Sequence, residues 1–513
     1  MPVRAVLRRS FYQDSVVLMR VAAELRGLPG VREVAALMGT PANHEMLRSA
    51  GLATPALAGA TPGDLILAVD AETDAQGDAA LAAGGRLLEE RQRVREATGR
   101  VRPLTVESAL RTLPEANLAV ISVPGAYARL EALTALRRGL HVFLFSDNVP
   151  LAEEVELKRV AVERRLLCMG PDCGTAYLNG VGLGFANVVP RGRIGCVAAS
   201  GTGLQAVASH LAALGEGLSH GLGVGGRDLS AEVGGAMTRL ALEALGADAA
   251  TEVVVLISKP PAPGVLGRLD EAIEAVGKPV VVCCLGAGSR PGAPGRWVAT
   301  LEDAARAAAA TAQGRPWSPR SFEDAAAVRA RLGRLERGAP PAGLLGLYAG
   351  GTLAYEARLV LEPLLGPIGD GAGDGHDGAH RILDLGADEF TVGRPHPMLD
   401  PSLRDARVRE AGRSPAVGVL LLDVVLGRAV HPDPARSLGE AVREARALAA
   451  RDGRALHVVA AVVGTDGDPQ GLARQVEALD AAGAHVLPSN AQAARFAALA
   501  LAPALAPGLL GAA

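Results

Sequence analysis

The residues best placed to do chemistry form the turn Ser200-Gly201-Thr202-Gly203, between an apolar run at 194–199 and a helical pattern over about 204–214. Small residues let the backbone bend and aim several N–H groups at one point, and the helix N-terminus behind them adds a partial positive charge. Ser200 and Thr202 add hydroxyl donors, so the turn can seat a phosphate or a carboxylate. An ordinary strand-to-helix turn with a Ser or Thr cap would read the same way. A second such turn is Gly350-Gly351-Thr352. Two helix ends aimed at one anion could hold a phosphoryl group without a metal, each worth ~0.3–1 kcal/mol at the surface and up to ~2 kcal/mol when partly buried. Lys259 and Arg227 are the cations nearest the expected strand ends, beside Gly225, Gly226 and Gly386. In Thr391–Asp400, dense in polar residues and prolines, Arg394, His396 and Asp400 are ligand candidates, although His396 also reads as a plain loop residue. Asp172 follows Gly170-Pro171 at another strand end.

The cluster Asp374, His376, Asp377 and His380 has metal-ligand residue types, but its glycine-rich flanks read as a surface loop, so no metal is expected. GxxxxGK[ST], HExxH and GxSxG patterns are all missing, which leaves nucleotide hydrolysis, zinc proteolysis and serine hydrolysis without support. Cys168, Cys173, Cys196, Cys283 and Cys284 form no ligand pattern and sit in apolar runs, as reduced buried thiols of a cytoplasmic protein would. A net charge of −3 gives no electrostatic case for nucleic acid or a membrane surface. No signal-like N-terminus or spanning apolar run appears. The chain is 49% hydrophobic with 3% aromatic residues, so its cores are built from Ala, Val and Leu.

Apolar strands alternate with helices along the 513 residues, which predicts an α/β protein with parallel sheets. The expected order is a Rossmann-like domain at 1–188, a flavodoxin-like domain at 189–312, a Pro- and Arg-rich linker at 313–342, and a second flavodoxin-like domain at 343–513. The last domain repeats the second: strand, glycine turn with Thr, helix, short strand ending in Gly with acid, then two apolar strands. The pairs are Gly225–Asp228 with Leu385–Glu389, Val253–Ile257 with Val417–Leu422, and Pro279–Leu285 with Ala455–Val463.

Gly170-Pro171-Asp172-Cys173-Gly174, Ser200-Gly201-Thr202 and Gly223-Val224-Gly225-Gly226, in that order, resemble the α subunit of succinyl-CoA synthetase. The third domain resembles the C-terminal domain of its β subunit. With Phe11–Ser15, Met38–Asn43, Ser258-Lys259-Pro260-Pro261 and Thr391–Met398, the whole chain resembles the FdrA family of acyl-CoA-synthetase-like proteins. The resemblance implies a CoA-binding-type first domain, with CoA the candidate cofactor, and two helix ends that hold phosphate. The loop Gly286–Pro294 lacks the histidine that carries phosphate in succinyl-CoA synthetase, the position of its orienting glutamate falls near Ser258-Lys259, and no ATP-grasp counterpart appears. An FdrA-type subunit of oxamate carbamoyltransferase, in allantoin breakdown, is therefore the specific expectation. It would act on acyl or carbamoyl phosphate together with other subunits. Ser200, Thr202 and Lys259 would then hold phosphate, and Arg394 with His396 would hold oxamate's carboxylate or polarise the carbonyl. A CoA ligase that borrows an ATP-grasp partner and a non-catalytic scaffold or sensor are the alternatives.

Overall fold

The structure, a computed structural model, describes residues 3–13, 15–97, 103–288, 290–335, 343–370, 380–391 and 395–511. It divides into two compact units, Met1–Leu104 with Thr391–Pro395, and Thr105–Phe390 with His396–Ala513.

In the first unit the sheet order is β1 (Val3–Arg8), β3 (Leu65–Ala71), β2 (Val31–Met38). β3 runs antiparallel to both neighbours. This corrects the expected parallel sheet and the single domain over 1–188. The continuous apolar run of β3 comes from burial on both faces: Leu65, Leu67 and Val69 pack into one core with Leu18, Val21 and Leu25. Ile66 and Ala68 pack into another with Leu47, Leu52 and Leu57. A central strand covered on both faces shows no alternation whichever way its neighbours run. The short helix Val106–Thr112 follows, started by Thr105 and Ser108 as a reciprocal cap.

Among the described residues the second unit holds three sheets. β4 (Leu118–Ile121), β5 (His141–Leu144) and β6 (Cys168–Met169) form a small parallel one. The seven-stranded sheet has the order β13 (Arg296–Trp297), β12 (Val280–Cys284), β11 (Val253–Ser258), β9 (Arg191–Ala198), β10 (Leu218–Gly223), β7 (Thr175–Leu178), β8 (Val181–Gly184). The six-stranded one has the order β15 (Ile368–Gly369), β16 (His380–Asp384), β14 (Leu344–Tyr348), β17 (Val419–Val425), β18 (His457–Val463), β19 (Ala484–Leu487), all parallel. The repeated stretches occupy equivalent places: β12-β11-β9-β10 in one sheet, β18-β17-β14-β16 in the other. β7 and β8 precede residue 188 yet belong to the seven-stranded sheet, a second departure from the expected boundary.

The two large sheets share one hydrophobic core. Helices Gly201–Ala213, Leu301–Ala312, Gly351–Leu365 and Asn490–Leu501 lie between them and contribute Leu204, Ala304, Leu353 and Phe496 to it. Inside this layer Glu356 accepts from Leu301 N at 2.7 Å and from Asn490 Nδ2 at 2.8 Å, and Asn490 Oδ1 accepts from the Tyr348 hydroxyl at 3.1 Å. Burial pushes the Glu356 carboxyl up to about 7. Asp468 adds a further link by accepting from Val188 N at 2.7 Å and from Asn187 Nδ2 at 2.8 Å. Residues 313–335 are less of a linker than their composition suggests, because Phe322 and Val328 join the shared core.

The loop after β10 is held by a buried ion network. Lys158 Nζ donates to Glu154 Oε1 (2.7 Å), Val224 O (2.9 Å) and Asp228 Oδ1 (2.8 Å). Burial disfavours the ammonium, but the two carboxylates outweigh it and hold the pKa above its ordinary value. Lys158→Met would leave Asp228 buried without a cation and Glu154 with Arg227 alone, and should cost roughly 3–5 kcal/mol, read as a lower urea midpoint. Adding Glu154→Gln and Asp228→Asn should restore much of that loss; an unchanged midpoint in the single variant would contradict the reading.

Candidate functional site

Both glycine turns stand at C-terminal strand ends, where ligands of parallel sheets bind. At the first, Ser200 has extended backbone and caps helix Gly201–Ala213 by accepting from Gly203 N at 2.9 Å. At the second, helix Gly351–Leu365 starts from Gly350 with no side-chain cap. The two starts meet: Ser200 Oγ and Thr352 Oγ1 lie 2.6 Å apart and share a hydrogen bond. A Cβ on Gly350 would lie 3.1 Å from both Thr202 Cγ2 and Asp423 Oδ2, so the glycine permits the close approach. Ser200, Gly201, Thr202, Gly203, Gly350, Gly351 and Thr352 thus belong to one locus.

Two acids complete the second turn. Asp423 Oδ1 and Oδ2 accept from Ala349 N (2.7 Å) and Gly350 N (2.8 Å), and Arg404 Nη1 donates to Asp423 O at 2.7 Å. Burial holds the Asp423 carboxyl above its usual range despite Arg404 and the two amides. Asp384, at the end of β16, accepts from Gly386 N at 3.0 Å, and a Cβ on Gly351 would collide with its carboxylate. Burial raises it to about 6, against the opposing pull of the Gly386 amide and of Lys259. Neither acid was singled out in the sequence, where attention fell on the Gly386 stretch beyond β16; for Asp423 the legible signal was a lone Asp in a wholly apolar strand.

Lys259 is exposed at the end of β11, with Nζ 5.4 Å from the centroid of the Tyr355 ring on the second helix. His396 faces Gly386, since a Cβ there would lie 2.8 Å from both His396 Nε2 and Ala349 O. His396 Nδ1 accepts from Met398 N at 3.2 Å, which leaves Nε2 to carry the proton of the neutral ring. Burial pulls the imidazole down to about 4, so it is neutral at pH 7. The Phe185 ring lies 5.8 Å from it.

Other expected ligand residues are engaged elsewhere. Arg227 donates to Glu154 Oε2 and Val149 O, both at 2.7 Å, extending the Lys158 network; its partners lie more than 70 positions away. Asp400 accepts from Ser402 N at 3.0 Å, at the start of helix Ser402–Arg413. Gly225, with φ +85°, packs against Pro171 O in the loop that carries Asp172, and Gly226 lies beside Ala199 O. Arg394 and the Asp374–Asp377 cluster lie outside the described residues. Among the described residues no group of three or more His, Cys, Asp or Glu could hold a metal, and no helix is long and apolar enough to cross a membrane. All five cysteines are buried free thiols; burial pushes Cys168, Cys173, Cys196 and Cys284 up to about 12.

A carboxyl whose folded pKa is raised stabilises the fold below its unfolded value and loses that contribution as pH rises through the folded value. Asp384 moves from 3.8 to about 6. Asp384→Asn should therefore gain on the wild type between pH 4 and pH 7, by up to ~3 kcal/mol in unfolding free energy. An equal difference at both pH values would contradict the assignment.

Residues 347–500 match the family described as CoA-ligase, and residues 1–103 match the AllF heavy metal-associated domain. Residues 1–103 contain no cysteine and one histidine, His44, whose Nε2 lies 3.1 Å from Ala60 O. A soft metal prefers thiolates, so this donor set does not fit one. The chain is 39% identical to YahF of Escherichia coli over 94% of its own length and 95% of that protein. It is 28% identical to the ADP-forming succinate–CoA ligase α subunit 2 of Archaeoglobus fulgidus, over 37% of this chain and 65% of that one. The dinucleotide-forming acetyl-coenzyme A synthetase 1 of Candidatus Korarchaeum cryptofilum, solved with phosphate and ADP, superposes with a TM-score of 0.29. That likeness is 17% identical over 77% of this chain and 84% of the other, and a score so low carries no argument. The extent of the match to YahF decides the matter: the chain belongs to the acyl-CoA-synthetase-like family that includes YahF of Escherichia coli.

Proposed function

We propose that the chain binds a carbamoyl or acyl phosphate between its two helix N-termini, as an FdrA-type subunit of oxamate carbamoyltransferase that works with other subunits in allantoin breakdown. The observation that carries this reading is the Ser200–Thr352 contact, which puts both helix starts at one point. A loop without histidine after β12 favours a ready-made acyl phosphate over a phosphohistidine carrier.

In oxalurate phosphorolysis a phosphate oxygen attacks the carbamoyl carbon, the bond from that carbon to the oxamate nitrogen breaks, and the nitrogen takes up a proton. Ser200, Thr202 and Lys259 hold the phosphate. Asp384, protonated in part near neutrality, is suited to supply the proton. The neutral His396 offers Nε2–H to a carbonyl or carboxylate, with Arg394 as its expected companion. Lys259→Ala should raise the phosphate concentration needed for half-maximal rate by about tenfold, near the loss of one charge-assisted hydrogen bond.

The similarity to CoA-ligase sequences favours a second reading, a ligase that borrows an ATP-grasp partner. Calorimetry with carbamoyl phosphate and, separately, CoA distinguishes the two. Binding of carbamoyl phosphate without CoA supports the carbamoyltransferase, and CoA alone supports the ligase. Failure of both favours a scaffold or sensor.

A further inference from the structure

At the edge of the six-stranded sheet opposite the glycine turns, where β18 and β19 begin, there is a cavity of about 370 Å³. That size suits a small ligand. Arg331, Arg334, Arg446, His457 and His485 line it, and Asp480 is its one acid among the described residues. Arg331 donates one N–H to Val486 O at 2.7 Å, which anchors its guanidinium beside β19. Gly483, with φ +88°, clears room for Arg446, because a Cβ there would collide with the guanidinium. Burial, and then His457, Arg331 and Arg446, hold the His485 imidazole below its ordinary pKa, against the opposing pull of Asp480. Three guanidiniums around a cavity lined by one carboxylate make it attractive to an anion. Guanidinium forks match the oxygens of phosphates and carboxylates.

We propose that this cavity is a second anion site, separate from the helix-end locus, for a compact ligand bearing two or more negative charges. Calorimetry of the full chain with pyrophosphate and, separately, citrate tests it. At least one should bind at one per chain, and the identity of the binder separates a phosphate ligand from a carboxylate one. Arg331→Gln with Arg334→Gln should weaken binding at least about tenfold. The exposed Arg334→Gln alone should weaken it in the same direction, should the double variant melt early. Binding of neither anion, or equal affinity in the arginine variants, would overturn the site.

Discussion

Two helices that begin against each other set like partial charges face to face, which is unfavourable without something negative between them or something strong behind them. Behind them is the shared helical layer. One core runs through both large sheets, and Glu356, Asn490 and Tyr348 fix the second helix against its neighbours. Asp468 adds a link outside the layer. The Ser200–Thr352 hydrogen bond is the visible product of that framework, and the chemistry proposed for the locus depends on it.

The negative partner is supplied in part by the protein itself. Asp423 already occupies the amides of Ala349 and Gly350, while Asp384 stands at the start of the second helix. Burial holds both carboxyls above their ordinary range, Asp384 at about 6. The two helix ends are therefore unequal. The first is capped by a hydroxyl, and the second has two buried acids beside it, of which Asp384, raised to about 6, can carry a proton. A site that both holds an anion and moves a proton needs that division.

Much of this was legible in the sequence. The glycine turns, the duplication and most strands are local patterns, and the repeated stretches occupy equivalent places in the two large sheets. Sheet direction in the first unit was not legible, because two-sided burial of β3 hides the difference between parallel and antiparallel neighbours. Arg227 looked like a ligand cation because Glu154 is remote in sequence. Asp384 and Asp423 were passed over for the opposite reason: Asp423 is the one polar letter of β17 and Asp384 the last letter of β16, and only the fold shows that both reach the Gly350-Gly351 turn.

The most direct test of the account is a double-mutant cycle on inorganic phosphate affinity with Ser200→Ala and Thr352→Val. If both helix ends serve one anion, each single variant weakens binding and the double variant loses less than the sum, with a coupling of at least ~0.5 kcal/mol. Strict additivity, or an affinity indifferent to Thr352, would mean that the two ends do not share an anion and would contradict the central claim.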